Sequence, residues 1–145
     1  MNEVPTVALT NTVPSFLEDQ DTSLAIKVAD IVITDDALGT NDLTLIGLDE
    51  ALLEIVGTEL RLVAGAALDF ETNPDLDVTV VVNDATYLPN PNDLAALSIS
   101  IADVNAVPTV ALTNTIPSFL EDQDTSLAIK VADIVITDDA LGTND

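Results

Sequence analysis

At 145 residues and 48% hydrophobic content the chain can bury one sizeable core, yet it carries 26 acidic residues against 3 basic ones. The formal charge of −23 excludes nucleic acid and anionic membrane surfaces as partners and leaves multivalent cations as the natural counter-partner. With no Cys and no His there is no disulfide, no thiolate or imidazole metal site and no histidine general base, so any metal must be a hard cation held by oxygen.

In chain order, Thr6 to Thr10 opens a series of short apolar segments that continues with Leu24 to Thr34, Leu43 to Ile46, Leu52 to Val56 and Leu60 to Val63. The clearest alternation comes last, in Asp77-Val-Thr-Val-Val-Val-Asn83 and Leu97-Ser-Ile-Ser-Ile-Ala-Asp103. Such period-2 runs of β-branched residues read as half-buried strands. Between them lie Gly39, Gly57, Pro89-Asn-Pro91-Asn92 and other Asp- and Asn-rich turns. Asp49 to Ile55 is the one intervening piece with helical character. About seven strands in about 100 residues describe an antiparallel sandwich of immunoglobulin type.

Residues 2–42 recur at 105–145 with two differences, Glu3 becoming Ala106 and Val13 becoming Ile116, at an offset of 103 residues. A period of domain length means tandem domains, so the expected division is one complete repeat at 2–104 and the first part of a second at 105–145. Met1 stands where the period places the equivalent of Val104 and is expected to be a start within a longer array. No apolar run approaches the roughly 18 residues of a membrane span, and the N-terminus has no signal-peptide pattern. A cysteine-free, very acidic repeat suits a bacterial secreted or surface protein.

Four clusters could gather the oxygens that calcium needs. They are Glu18-Asp19-Gln20-Asp21, Asp35-Asp36-Ala-Leu-Gly39-Thr-Asn41-Asp42, Leu68-Asp69-Phe70-Glu71 and Asp103-Val104-Asn105. Taken singly, each also fits a solvated turn, because Asp and Asn are favoured there for local hydrogen bonding. Asp19 and Asp49 are expected to be solvated acids of that kind.

Taken in order, the clusters resemble the cadherin repeat. Its calcium signature runs as an early Glu, a DxDxGxN loop, an LDRE motif, an Asp late in the penultimate strand and a DxNDN-type linker before Pro. The chain has Glu18, DDALGTN at Asp35 to Asn41, LDFE at Leu68 to Glu71, Asp84, and DVNAVP at Asp103 to Pro108. The match spans the whole period and is similar in particular to bacterial cadherin-like repeats of surface and adhesin proteins. Three departures are visible: the acids of the Asp-rich loop are adjacent, the linker is one residue shorter, and its second acidic position is Glu3 in one copy and Ala106 in the other.

The resemblance implies an all-β, cadherin-type Greek-key sandwich of extracellular or cell-surface location, with Ca2+ as its ion. It implies that Glu18, Asp69, Glu71 and Asp103 gather at the far end of the repeat, to be met by Asn105 and by Asp138, Asp139 and Asn144 of the next. Asp35, Asp36, Asn41 and Asp84 form the receiving half for a preceding repeat, with Asn2 in the linker. Calcium then stiffens the joint, and its removal lets the clustered acids repel and the linker hinge. The implied partners are neighbouring repeats and, at a cell surface, a homophilic, glycan or protein partner.

Catalysis is not expected, since Asp69 and Glu71 at i and i+2 face the same side of a strand end, as ligands do, and no nucleophile has a base. One Tyr and no Trp argue against an aromatic sugar platform. A calcium-dependent carbohydrate-binding module and a metal-free spacer sandwich remain the alternatives. For residues 107–145, whose apolar side chains lack a partner sheet, the expectation is a largely disordered segment or strand exchange with another molecule.

Overall fold

A computed structural model of the chain describes residues 2–36 and 38–139; Asn144, among the predicted ligands, lies outside them. The chain divides into two compact units, Met1–Val104 and Asn105–Asp145. No helix among the described residues is long and apolar enough to cross a membrane.

The first unit is a sandwich of two four-stranded sheets. Its strands are β1 (Thr6–Thr10), β2 (Ser15–Leu17), β3 (Ile26–Thr34), β4 (Asp42–Ile46), β5 (Leu53–Val56), β6 (Glu59–Leu62), β7 (Asp75–Asn83) and β8 (Asp93–Ala102). One sheet has the order β1-β3-β6-β5 and the other β2-β8-β7-β4. All pairings are antiparallel except β2 with β8, which is parallel. The predicted strands all form. What the sequence pattern does not reveal is β2, a three-residue strand in which Phe16 alone turns inward, too short for alternation to register. Asp49 to Ile55 forms a single 3-10 turn at Glu50–Leu52 and then enters β5.

Alternation decides the core. Leu76, Val78, Val80 and Val82 of β7 point inward against Ile99 and Ile101 of β8, and Leu60 and Leu62 of β6 face them from the other sheet. In β3 the consecutive residues Val28 and Ala29 are both fully buried, because the register with β6 shifts between Lys27 and Ala29 and the resulting bulge turns both inward. Each fully buried Leu, Ile or Val contributes about 1.5–3 kcal/mol of transfer free energy. This core holds the strand ends, and thus the acids, in fixed positions.

The second unit repeats the local structure of the first without its packing. β9 (Thr109–Thr113) and β10 (Asp133–Thr137) pair with one another in a two-stranded sheet. Thr113 stands opposite Asp133 and Thr109 opposite Thr137, matching Thr10 with Asp30 and Thr6 with Thr34 in the first copy. These two strands thus adopt the register of the first copy without the rest of its sandwich. Asn114, in the left-handed conformation at φ 49° like Asn11, donates to Asp133 Oδ2 at 2.8 Å as Asn11 does to Asp30 at 2.7 Å. Burial is not repeated. Val110 is 71% exposed against 7% for Val7, and Ile134 is 70% exposed against 3% for Ile31.

Candidate metal centre

The parallel pair builds the site. With Leu17 opposite Ala102, the next residue on each strand is an acid, so Glu18 and Asp103 leave the sheet side by side. The Glu18 N–H donates to the Ala102 carbonyl at 3.0 Å, and Glu18 Oε1 accepts from the Val104 N–H at 2.9 Å. β7 begins at the same end, with Asp75 opposite Ser100, and the Ile101 N–H donates to the Pro74 carbonyl at 2.7 Å. This brings the loop before β7 to the two acids, and its Phe70 N–H donates to Glu18 Oε2 at 3.2 Å. Carboxylate oxygens of Glu18, Glu71 and Asp103 then lie within 4.8 Å of one another.

Asp69, predicted as a fourth donor here, closes the loop. Its Oδ1 accepts from the Thr72 N–H at 3.1 Å, and its carbonyl accepts from the Asn73 N–H at 2.9 Å. The Thr72 side chain and then the Thr72 N–H hold the Asp69 carboxyl below its usual range. Glu71 is shifted the other way. A hydrogen bond to its own N–H pulls its pKa down, but partial burial, the charges of Glu18 and Asp103 and a hydrogen bond to Asp69 outweigh this and raise it.

A carboxyl whose pKa is raised in the folded state favours folding below its unfolded value and disfavours it above the folded value. Without metal, Glu71→Gln is therefore expected to be more stable than the parent at neutral pH. The advantage should shrink as pH falls and vanish below the ordinary glutamate value of 4.5. Urea unfolding of both proteins in chelator between about pH 4 and pH 7 checks this; a difference that grows on acidification overturns the assignment of mutual repulsion.

The remaining predicted residues of the first unit lie at the other end of the sandwich. β8, 10 residues long, separates the two ends by about 30 Å at roughly 3.3 Å per residue. Here β4 starts at Asp42 opposite Asn83, which sets Asn41 beside Asp84. Asn41 Nδ2 donates to Asp35 Oδ2 at 3.0 Å. Asp84 is fully buried; its Oδ1 accepts from the Thr86 N–H at 2.9 Å and from Thr86 Oγ1 at 2.8 Å, and its Oδ2 accepts from Asn2 Nδ2 at 2.7 Å. The Thr86 N–H first, and the Asn2 amide next, hold its carboxyl below its usual range. A Cβ on Gly39 would run into the Asp84 carboxylate, so glycine there lets the Asp-rich loop close on it. Asp36 is exposed, its Oδ1 accepting from the Leu38 N–H at 3.0 Å.

Three oxygens at this end, Asn2 Oδ1, Asp35 Oδ1 and Asn83 Oδ1, are buried with no hydrogen-bond donor facing them. Asp138 Oδ1, the second unit's counterpart of Asp35, is in the same state. Buried oxygens of this kind need a cation or an ordered water, and their chemistry fits a hard ion. Asn105 is exposed and donates to the Ala106 carbonyl at 3.1 Å; Asp139 Oδ2 accepts from the Ala106 N–H.

The basic residues are engaged elsewhere. Lys27 pairs with Asp30 at 2.5 Å and Glu59 at 3.7 Å, Arg61 with Glu59 at 2.5 Å, and Lys130 with Asp133. The sequence reading of Asp49 as a solvated acid is corrected: it is 9% exposed, with Asn73 Nδ2 and the Asp77 N–H each donating to its carboxylate at 2.7 Å. Its partners come from a loop and a strand more than twenty residues away, so nothing in the local sequence marks it.

No protein-family model matches the sequence, and no curated protein does. Solved structures do. Protocadherin gamma B7 extracellular cadherin domains 1–4 match with a TM-score of 0.58 and 17% identity, over 95% of this chain and 34% of that one. The protocadherin gamma B4 extracellular domain matches with a TM-score of 0.57 and 20% identity, over 94% of this chain and 22% of that one. Domains EC1-2 of human protocadherin-24 match with a TM-score of 0.50 and 19% identity, over 95% and 62% of the two chains. The chain thus spans less than two thirds of each, and what it shares with them is a cadherin-like β-sandwich fold.

Proposed function

We propose that this chain is a calcium-binding structural and adhesive repeat of a large extracellular bacterial surface protein, in which calcium at the repeat ends stiffens the joint between successive repeats. The observation that carries the reading is the convergence of Glu18, Glu71 and Asp103 from three separate elements within 4.8 Å, while the chain's basic side chains are paired at other sites. Such a concentration of like charge favours a counter-charge, and all its donors are the hard oxygens that calcium takes. Calcium bound there would turn mutual repulsion into coordination.

The trio falls short of the six to eight or so oxygens of a calcium shell. On the sequence reading, Asn105, Asp138, Asp139 and Asn144 add donors from the following repeat, and Asp35, Asp36, Asn41 and Asp84 serve the preceding one. The undonated oxygens of Asp35 and Asp138 support this assignment. The extracellular placement is supported by the descriptions of the similar structures as extracellular domains, and the bacterial one by the cysteine-free, acidic composition.

Calorimetric titration of chelator-treated protein tests the site. Calcium should bind with a dissociation constant of about 10⁻⁴ to 10⁻³ M, the range of extracellular modules. Glu71→Gln or Asp103→Asn should weaken it at least about tenfold and Asp19→Asn, at an exposed position, by less than about twofold. Equal losses in all three would mean diffuse counterion attraction, which added salt would also abolish.

A further inference from the structure

We propose that Asp49 is a positioning residue for the acidic trio: its buried carboxylate fastens the loop from Asp69 to Asn73 and so sets where Glu71 stands. The inference rests on the reading of Glu18, Glu71 and Asp103 as calcium ligands.

Asp49 occupies the N-cap of the Glu50–Leu52 turn, where an aspartate ordinarily accepts from its own helix, yet its side chain makes no cap hydrogen bond. It reaches instead to Asn73 Nδ2 and the Asp77 N–H, both at 2.7 Å. Its place beside β7 is fixed by the backbone. The Asp49 N–H donates to the Asp77 carbonyl at 3.3 Å, and Gly47, at φ 134°, approaches so closely that a Cβ would lie 2.7 Å from that carbonyl oxygen.

The anchored loop behaves as one body. Asn73 and Thr72 both bond back to Asp69, at 2.9 Å and 3.1 Å, with Glu71 between the two ends. Holding Asn73 therefore holds Glu71. Repulsion from Glu18 and Asp103 pushes Glu71 away from the trio, and the Phe70 bond to Glu18 ties it to a member of the trio itself. Asp49 supplies a tie to the folded body outside that charge cluster. A buried carboxylate is suited to the task, because it accepts from both an amide and a backbone N–H where an apolar residue would leave both donors bare.

The test compares the parent, Asn73→Ala, Asp49→Ala and Asp49→Asn at a temperature where circular dichroism shows each folded. Calcium affinity, by titration, should fall about tenfold in the two alanine variants, as for other outer partners of metal ligands. Asp49→Asn should keep most of it, since its oxygen can still accept from Asp77 while its new NH2 donates to a turned-over Asn73 amide. A role in stability alone would leave the affinity of the folded protein unmoved. If Asp49→Ala does not fold, Asn73→Ala, at a half-buried position, carries the comparison. Hydrogen exchange in chelator provides a readout independent of calcium: the Phe70 and Thr72 amides should lose about tenfold protection in Asn73→Ala. A parent that takes up no calcium sinks the proposed function, and the anchoring is then decided by this exchange measurement alone. Unchanged protection there, or affinities within twofold of the parent in both alanine variants, overturns the inference.

Discussion

Hydrogen exchange is expected to proceed about a thousandfold or more faster at Ile134 and its neighbours in 129–137 than at Ile31 and its neighbours in 26–34. The two segments have identical sequences, so their chemical exchange rates are the same and the ratio reports protection alone. β3 lies between β1 and β6, and its Ile31 N–H is bonded to the Thr58 carbonyl at 2.8 Å, with Ile31 itself 3% exposed in the core. β10 pairs with β9 in a two-stranded sheet, which is marginally stable in water at best. Equal protection of both segments by mass spectrometry would mean that the second unit is packed in solution against a surface other than its own.

Strand exchange alone does not supply that surface. A chain offers two copies of the β1–β3 block but one set of strands β4–β8 to receive it, so seating the second copy in another molecule displaces a first copy. The number of uncovered blocks is conserved, and association entropy opposes the exchange. Association between copies would instead have to bury the exposed residues Val110, Leu112, Ile134 and Ile136 directly.

Calcium at about 100 times its dissociation constant is expected to stabilise the fold by roughly 2.7 kcal/mol if the unfolded chain does not bind. For a unit of about 100 residues this raises the melting temperature by about 10 to 20 °C. Chelator should reverse it. Glu71→Gln should abolish most of the rise while starting from a more stable metal-free protein, because its effect on repulsion and its effect on ligation have opposite signs. A melting curve unmoved by calcium at about tenfold excess over the dissociation-constant range of extracellular modules removes the structural-calcium reading, and an equal rise in Glu71→Gln moves the ion away from the trio.

The sequence by itself determined the all-β class, the strands with enough alternation to register and the repeat period. These follow from local rules: period-2 burial, turn chemistry and residue type. It also determined the β9–β10 register, since the duplicated Asn–Asp and Lys–Asp contacts arise within each copy. Tertiary structure alone decided the rest. Ser15–Leu17 is a strand because β8 lies beside it, while the identical Ser118 to Leu120 is not a strand; Phe16 is 8% exposed and Phe119 49%. The same pairing sets Glu18 beside Asp103, and the burial of Asp49 depends on Asn73 and Asp77. In each case the stabilising partner is remote in the chain, and a short segment carries no signal of a neighbour it meets only after folding.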